Sequence, residues 1–309
     1  MDASYVLLYE ALSDLGIRTT QAEPLARHAG FRIGGTAPVA VFPENEQQLI
    51  DAIGCLRRHG ARYLVLGRTT NVLFADGDDH GVAIFTTAMR QCRVEGNRIT
   101  AAAGVSLAQL ATEAQRRGLA GAEFAHGIPG TLGGAVVMNA GAYDGAMEQI
   151  VVSSRYWLPS TGEIVTLSGE AHAFGYRESI YTAHPEYVLL EATVELTPDD
   201  PTAIRTRMEA LSARRRASQP LELPSGGSVF KRPTGHFAGK LIEDCGLKGY
   251  RIGDAEVSTK HAGFIVNRGN ATAMDVLALI RHMQESVLQR FGIALECEIR
   301  YVDASSYHT

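Results

Sequence analysis

The sequence predicts an α+β protein with more than one domain. Residues 38–85 show the order strand, helix, strand, strand, which is typical of a small α/β unit. Residues 88–197 are rich in strand patterns and hold one helix, and a long amphipathic helix is predicted over 272–291. With 309 residues and 45% hydrophobic side chains, the chain is long enough to bury two or three separate cores.

The N-terminal part of the chain predicts one helix followed by the α/β unit. Ser4 can cap a helix that ends at Gly16, and residues 17–30 look like a connector. The other elements predicted here are strands at 38–42, 63–66 and 82–85 and a helix over 46–59. This part of the chain, residues 1–87, is predicted to be one unit.

The best candidate for a domain boundary is Pro198-Asp199-Asp200-Pro201, which lies between a predicted strand and a predicted helix. Before it the sequence predicts hairpins at 93–102 and 150–167, a helix over 106–118 and a strand at 187–196. After it the sequence predicts helices over 202–217 and 272–291 and a closing strand at 294–302. We therefore predict three units, 1–87, 88–200 and 201–309.

The stretch from Gly127 to Gly141 reads G-I-P-G-T-L-G-G-A-V-V-M-N-A-G and carries no charged side chain. Glycine lets backbone N–H groups approach a ligand closely, and a concave run of free N–H groups binds phosphate. The stretch therefore predicts a large anionic cofactor held by the main chain. Tight packing or turn geometry would explain the same glycines without a ligand.

Composition excludes several classes of function. A net charge of −5 and a pI near 6.1 disfavour a nucleic-acid-binding protein. No apolar run approaches the roughly 18 residues of a membrane span, and the N-terminus lacks the features of a signal peptide. The four cysteines are widely spaced, which predicts free thiols in the cytoplasm and no metal site. The dinucleotide fingerprint G-x-G-x-x-G follows no predicted strand, and G-H-F-A-G-K at 235–240 departs from a P-loop.

Short motifs along nearly the whole chain carry a resemblance to one family. They are F-R-I-G-G at 31–35, V-L-G-R-T-T-N at 65–71, G-I-P-G-T-L-G-G-A-V-V-M-N-A-G-A-Y at 127–143, Y-R-E-S at 176–179, P-S-G-G-S-V-F-K at 224–231, A-G-K-L-I-E at 238–243, G-L-K-G-Y-R-I-G-D-A at 246–255 and K-H-A-G-F-I-V-N at 260–267. In this order they resemble the UDP-N-acetylenolpyruvoylglucosamine reductases, also called UDP-N-acetylmuramate dehydrogenases, which are flavoenzymes of bacterial cell-wall synthesis.

The resemblance implies a vanillyl-alcohol-oxidase-type FAD-binding fold of two subdomains and a C-terminal α+β substrate domain, whose last strand returns to the active site. It implies non-covalent FAD and NADPH as co-substrate in the same cleft as the UDP-sugar. We also expect the protein to be a monomer, in the cytoplasm as its free thiols indicate. The absence of an insertion between Tyr176 and Leu196 indicates the shorter form of the family. Two alternatives stay open: a related reductase of another nucleotide-sugar substrate, or a nucleotide-sugar-binding protein without catalysis.

The resemblance also implies a catalytic trio. Ser228 would give a proton to the carbanion that forms when hydride from flavin N5 adds to the enolpyruvyl group, Arg177 would stabilise the substrate carboxylate, and Glu298 would hydrogen-bond or orient these groups. Read from the residues alone, the favoured interpretations are a turn residue for Ser228 and an ion pair with Glu178 or another nearby acid for Arg177. For Glu298 the alternative is an exposed strand acid.

Strand alternation places Glu296, Glu298 and Arg300 on one face, so we expect Arg300 to reach the substrate as well. The other residues expected to bind substrate are Tyr176, Lys231 and Lys240. For the cluster Arg214–Arg216, a solvated helix face is favoured over a diphosphate site.

The residues expected to contact FAD come from three glycine-containing segments: Ile33, Gly34, Gly35; Gly67, Arg68, Thr69, Thr70, Asn71; and Gly127, Ile128, Pro129, Gly130, Thr131, Gly133, Gly134, Asn139, Gly141. In the second segment Arg68, Thr69 and Thr70 replace the Gly, Gly and Ser of the family pattern. Thr69 conflicts with the expected backbone, because a β-branched residue resists positive φ.

Overall fold

The computed structural model describes residues 3–77 and 80–308, and within them eight α-helices. The helices are α1 (Ala3–Asp14), α2 (Glu46–Arg58), α3 (Leu107–Arg116), α4 (Leu132–Val137), α5 (Ile180–Ala183), α6 (Pro201–Ser218), α7 (Ala238–Asp244) and α8 (Ala273–Phe291). The predicted capping box of α8 is confirmed: Thr272 accepts a hydrogen bond from the Asp275 N–H, and Asp275 accepts one from the Thr272 N–H.

The strands, in chain order, are β1 (Arg18–Pro24), β2 (Thr36–Phe42), β3 (Tyr63–Leu66), β4 (Val72–Phe74), β5 (Val82–Phe85), β6 (Cys92–Glu95), β7 (Arg98–Ala102), β8 (Leu119–Ala120), β9 (Gly141–Ala142), β10 (Gly145–Ala146), β11 (Val151–Leu158), β12 (Glu163–Ser168), β13 (Val188–Glu195), β14 (Thr197–Pro198), β15 (Ser225–Ser228), β16 (Arg251–Ile252), β17 (Ala255–Val257), β18 (Phe264–Asn267) and β19 (Arg300–Val302).

Three larger sheets organise these strands. The first has the order β1-β2-β5-β3, with β2, β5 and β3 parallel, as the α/β pattern predicts. The second is antiparallel, β12-β11-β13-β7-β6, and contains both predicted hairpins. The third, β15-β18-β17-β16, is antiparallel and packs against α8.

Three segments differ from the sequence prediction. Residues 17–30 are not a connector, because β1 pairs with β2 along almost its whole length. The strand R-T-T-Q-A-E-P has no buried residue, and an exposed edge strand gives no apolar alternation to detect. Only Arg300–Val302 of the predicted closing strand is regular, and the glycine-rich stretch contains the short helix α4.

The last strand returns to the beginning of the chain. β19 pairs in parallel with β4, and the Arg300 N–H donates to the Asn71 carbonyl at 3.0 Å. The C-terminal part is also held to the N-terminal part by side chains, since the Asn267 amide donates to the Phe31 carbonyl at 2.9 Å and the Asp76 carboxylate accepts the Ala273 N–H at 2.7 Å. These contacts fix the loop after β3 beside the segment that carries Glu298.

The hydrophobic cores do not follow single segments of sequence. One core joins α1, α2 and β2 to the second sheet, and it also takes Ile204 and Met208 of α6. A second core lies in the C-terminal part and includes Phe31 and Ile33 from the N-terminal part. The domain limits at residues 87 and 200 remain a prediction, and the outer limits, 1 and 309, lie outside the described residues. None of the helices in the described ranges has the length and hydropathy that a membrane crossing requires.

Candidate active site

Two cavities meet at three polar side chains. One has a volume of about 1150 Å³ and runs between the first two sheets. The other, of about 340 Å³, is lined mainly by the C-terminal part. Arg177, Ser228 and Glu298 line both cavities, so the structure brings the predicted trio together.

Backbone pairing explains how Ser228 and Glu298 meet. Ser228 ends β15 opposite Phe264, and the residues that follow it run antiparallel to the segment that carries Glu298. The Glu298 N–H donates to the Val229 carbonyl at 2.8 Å, and the Asn71 amide donates to the Glu298 carbonyl at 3.0 Å. The Ser228 hydroxyl is exposed to the cavities and has no hydrogen-bond partner among the described residues.

Arg177 and Glu298 form an ion pair with 2.8 Å between Nε and Oε1. The side chains are only 20% and 13% exposed, so the pair is mostly shielded from solvent. Arg177 has φ of +62°, in the left-handed region that costs a non-glycine residue about 1–2 kcal/mol. The guanidinium therefore has a fixed position and keeps N–H donors for a ligand carboxylate, because only Nε is bonded to Glu298.

The loop of residues 67–71, which is the second of the three glycine-containing segments, lines the larger cavity. Thr69 has φ of +49°, the backbone conformation that a β-branched residue resists. Its hydroxyl donates to the His28 carbonyl at 2.6 Å, and its carbonyl accepts the Gly30 N–H at 3.3 Å. These two bonds stabilise the strained conformation, so the departure from the family pattern keeps the turn. Within the described chain, the N–H groups of residues 68–70 donate to no protein acceptor.

The glycine-rich loop of residues 128–134 contacts the loop of residues 67–71. Residues 128–131, 133, 134 and 141 line the same cavity. A Cβ added to Gly67 would lie 2.4 Å from Oγ1 of Thr131, which accepts the Gly134 N–H at 3.3 Å. The two loops are thus in van der Waals contact, and a main chain without a side chain at residue 67 is needed for that approach.

Two further arginines face the larger cavity without an ion-pair partner in the described ranges. Burial lowers the pKa of both Arg215 and Arg300. The expectation of a solvated helix face is wrong for Arg215, because the last turn of α6 points it into the cavity; Arg214 instead stacks on Tyr143. The Gln219 side-chain oxygen, one turn further along, is also buried without a partner in this part of the structure. The sequence signal for this position is the spacing of four residues between Arg215 and Gln219, which places these two side chains on the same side of a helix.

The smaller cavity is rich in basic side chains. Arg232, Lys240, Lys248 and Lys260 line it. The three lysines each contact an acid, which is Asp244, Glu243 and Glu222 respectively. These cations make the cavity suitable for a phosphorylated ligand.

His261 adds a directed hydrogen-bond donor to the same cavity. Burial lowers the pKa of His261, which favours the neutral ring. Its Nδ1 accepts the Gly263 N–H at 3.2 Å, so the proton of the neutral ring is on Nε2. The ring can therefore donate one hydrogen bond through Nε2.

Some predicted site residues lie elsewhere. Ile33 is buried in the C-terminal core, and Gly34 and Gly35 pack against Phe74 and the backbone of Gly77. Lys231 lines neither cavity and pairs with Glu296 at 2.6 Å. In this structure none of these four residues lines either cavity, and their binding roles stay a prediction.

Two residues of the glycine-rich stretch also lie behind the cavity wall. Gly127 lies against the Arg215 side chain. Asn139 is buried, accepts the Glu148 N–H and donates to the Gly175 carbonyl at 2.9 Å. Since Gly175 begins the turn that contains Arg177, Asn139 supports the position of that arginine.

Comparison with known proteins gives a consistent result. The family model for the C-terminal domain of UDP-N-acetylenolpyruvoylglucosamine reductase matches residues 219–302, and the model for an FAD binding domain matches residues 37–168. The UDP-N-acetylenolpyruvoylglucosamine reductase of Clostridium perfringens (strain ATCC 13124) is 44% identical over 298 residues, which cover 96% of this chain and 97% of the relative. This chain belongs to the UDP-N-acetylenolpyruvoylglucosamine reductase family.

Other members of the family agree. The enzyme of Caldanaerobacter subterraneus subsp. tengcongensis is 46% identical over 280 residues, covering 91% of this chain and 92% of that one. The crystal structure of the Thermus caldophilus enzyme matches with a TM-score of 0.78 at 32% identity, covering 93% of this chain and 99% of that chain. The predicted fold class, an α+β chain with a vanillyl-alcohol-oxidase-type FAD-binding fold and a C-terminal α+β domain, is confirmed.

The larger cavity suits the FAD of this reductase family. Its volume of about 1150 Å³ exceeds the roughly 300–1,000 Å³ of ordinary small-molecule sites, as a dinucleotide requires. Residues 68–70 line its wall, and their N–H groups have no protein acceptor in the described chain, which would suit the FAD diphosphate. The loops at 67–71 and 128–134 are the residues that would hold it.

The contact between the two loops of this family member can be tested. Gly67→Ala is expected to weaken FAD binding about tenfold, because its Cβ overlaps Oγ1 of Thr131 and forces the loops apart. Thr131→Ala alone loses the bond to Gly134, with a cost of about 1 kcal/mol. The double variant should bind FAD better than Gly67→Ala alone, because the overlapping atom is gone.

Fluorescence titration of the flavin-stripped chain measures these affinities. Additive losses in the double variant would show that the Gly67–Thr131 contact does not control FAD binding.

Proposed function

We propose that this chain reduces UDP-N-acetylglucosamine enolpyruvate to UDP-N-acetylmuramate, with NADPH as the source of hydride, as an FAD-dependent oxidoreductase of peptidoglycan synthesis. The observation that carries the proposal is the position of Arg177, Ser228 and Glu298 where the two cavities join. The larger cavity has the size and the free N–H groups for FAD, and the smaller one has the charge for a nucleotide diphosphate.

Bound FAD supplies the redox chemistry, which is the transfer of hydride from NADPH to the terminal carbon of the enolpyruvyl group. The chain itself supplies a proton and an electrostatic environment. The Ser228 hydroxyl gives its proton to the adjacent carbon, where negative charge develops. A serine is a weak acid, so this step requires a strongly basic acceptor held at close range.

Arg177 binds the substrate carboxylate, into which that charge spreads. Its planar guanidinium can give a carboxylate two parallel hydrogen bonds. Glu298 acts by holding Arg177 through the 2.8 Å bond to Nε, so the cation does not have to reorganise as charge develops. Glu298 is in turn fixed through its backbone by Val229 and Asn71.

The smaller cavity supports alternate use by NADPH and the UDP-sugar. Its volume of about 340 Å³ is at the low end for one drug-sized ligand and cannot hold two nucleotides together. We assign Tyr176 and Lys240, which line it, to ligand binding there. Arg300 lines the larger cavity and has no ion-pair partner in the described structure. We assign it to substrate binding, and we add Arg215 as a second source of positive charge in that cavity.

The remaining elements of the proposal concern the whole protein. The enzyme acts as a cytoplasmic monomer on small-molecule substrates, with non-covalent FAD. Its units are 1–87, 88–200 and 201–309, although the α6 contacts with the first core tie the third unit closely to the others. Lys231, Ile33, Gly34, Gly35, Gly127 and Asn139 act indirectly, by supporting residues that reach the ligands.

The test separates the two half-reactions under anaerobic conditions. NADPH should bleach the flavin absorbance of the purified protein, and addition of the enolpyruvyl substrate should restore it. Reduction without reoxidation would contradict the proposed substrate and favour a reductase of another nucleotide sugar. A colourless protein that binds UDP-sugar without either change would favour the non-catalytic alternative.

A further inference from the structure

The six residues after the last strand form an ordered segment, Asp303 to His308, which we call the C-terminal strap. A 3₁₀ turn covers Ala304–Ser306, and the Asp303 carboxylate caps it by accepting the Ser305 N–H at 2.9 Å. His308 then pairs with Tyr63, the first residue of β3: each N–H donates to the other's carbonyl at 2.8 Å. Since β3 is an edge strand, this bridge places the strap beside one edge of the first sheet.

The strap is anchored by packing as well as by pairing. Tyr307 is 7% exposed and belongs to the core formed by β2, β5 and β19. Its hydroxyl bonds to Nδ1 of His80 at 3.2 Å, and Gly81 leaves room for its ring, since a Cβ there would lie 2.6 Å from the ring. A segment that made only surface contacts would not need these adaptations.

One side of the strap faces the larger cavity. Ser306, Tyr307 and His308 line it next to the four residues of β3. Residues 185–189, which comprise the turn before β13 and its first two residues, also line this cavity. Glu186, which lies in this stretch, and His308 both line the cavity. The strap therefore lines the cavity beside β3, together with residues that lead into the second sheet.

The chain fixes the order of features along this cavity. The strap pairs with the first residue of β3, and the loop with the free N–H groups begins directly after its last residue, Leu66. Four residues of strand separate these two points by about 10 Å. Beyond the loop, Asn71 bonds to Glu298 and so leads to the catalytic trio. In chain order, the contact of the strap at Tyr63 and the contact of Asn71 with Glu298 thus lie before and after the free N–H groups.

FAD has the same linear order: adenosine, diphosphate and flavin. If the diphosphate binds to the N–H groups of residues 68–70 and the flavin faces the trio, the adenosine falls near the start of β3, where the strap lines the cavity. We propose that the C-terminal strap forms one wall of the binding site for the adenosine half of FAD. The proposal rests on FAD occupying the larger cavity, as the proposed function requires.

The test disturbs the strap without removing its buried tyrosine. His308→Pro eliminates the N–H that donates to Tyr63, and His308→Ala keeps that bond and removes only the imidazole. Affinities of the flavin-stripped full chain are measured for FAD by fluorescence titration. ADP, which carries the adenosine half, and FMN, which carries the flavin half, are measured as competitors.

We expect His308→Pro to weaken FAD and ADP by the same factor, about tenfold, and to leave FMN unchanged. His308→Ala should have a smaller effect of the same kind. Unchanged FAD affinity in the proline variant, or an equal loss for ADP and FMN, would overturn the proposal. Turnover separates this result from the proposed function: normal half-reactions with unchanged FAD affinity would overturn only the strap, and failed half-reactions with selective loss of ADP would overturn only the reaction.

Discussion

Replacing Ser228 by alanine is expected to leave the reduction of the bound flavin by NADPH intact and to slow the reaction with the enolpyruvyl substrate by about 100- to 10,000-fold. This range is the usual contribution of a positioned acid or base. The two half-reactions diverge because only the second requires a proton on carbon. Anaerobic stopped-flow absorbance measures each of them separately.

The geometry of β15 makes this prediction specific. Gly227, with φ of +80°, and the pairing of Ser228 with Phe264 direct the hydroxyl into the region where the cavities join. In the described structure that hydroxyl bonds to no protein group, so its loss should not disturb the fold. Ser225→Ala is the matched control, because Ser225 lies on the same strand and lines neither cavity. Equal loss of both half-reactions in Ser228→Ala would remove Ser228 as the proton donor.

Local patterns predicted the elements whose signals are local. The helix α8 has its capping box and its apolar face within nineteen residues, and the structure reproduces both. The hairpin of β6 and β7 lies where the sequence predicts one, over residues 93–102. In contrast, β1 and the three-residue strand β4 carry too little apolar periodicity to be recognised, because a partner strand rather than their own composition fixes them.

The site depends on contacts that are distant in sequence. Arg177 and Glu298 are 121 residues apart and meet at 2.8 Å. No spacing rule predicts such a contact, and only the resemblance to a family indicated it. The same limitation applies to Arg215 and the C-terminal strap, because no local pattern predicted that they line the larger cavity. Their orientation follows from how α6 and β19 pack, which single-sequence periodicity does not contain.

Thr69 shows how a local prediction can be physically correct and still incomplete. The β-branched side chain does conflict with a φ of +49°. The compensating bond comes from the carbonyl of His28, 41 residues earlier in the chain. The energy of the loop is therefore decided by a tertiary contact.

Substitutions of Arg177 separate the energetic cost of its strained backbone from the catalytic effect of its guanidinium. Arg177→Ala and Arg177→Gly both remove the guanidinium and leave the Glu298 carboxylate without its ion pair. We expect kcat/KM to fall about 100- to 1,000-fold in both variants, as for loss of one charge-stabilising group. Arg177→Lys should recover part of this loss, since it restores the charge but not the planar fork.

Arg177→Ala and Arg177→Gly should differ in their free energy of unfolding. At φ of +62° an alanine retains the left-handed strain and a glycine does not. The free energy of unfolding of Arg177→Gly should therefore exceed that of Arg177→Ala by about 1 kcal/mol. Urea denaturation with equal m-values measures the difference. A glycine variant that keeps its activity would show that Arg177 does not stabilise the carboxylate, and an alanine variant of equal stability would show that the turn relaxes. If both expectations hold, the chain keeps a strained residue at this turn because the turn aims its guanidinium at the reacting carboxylate.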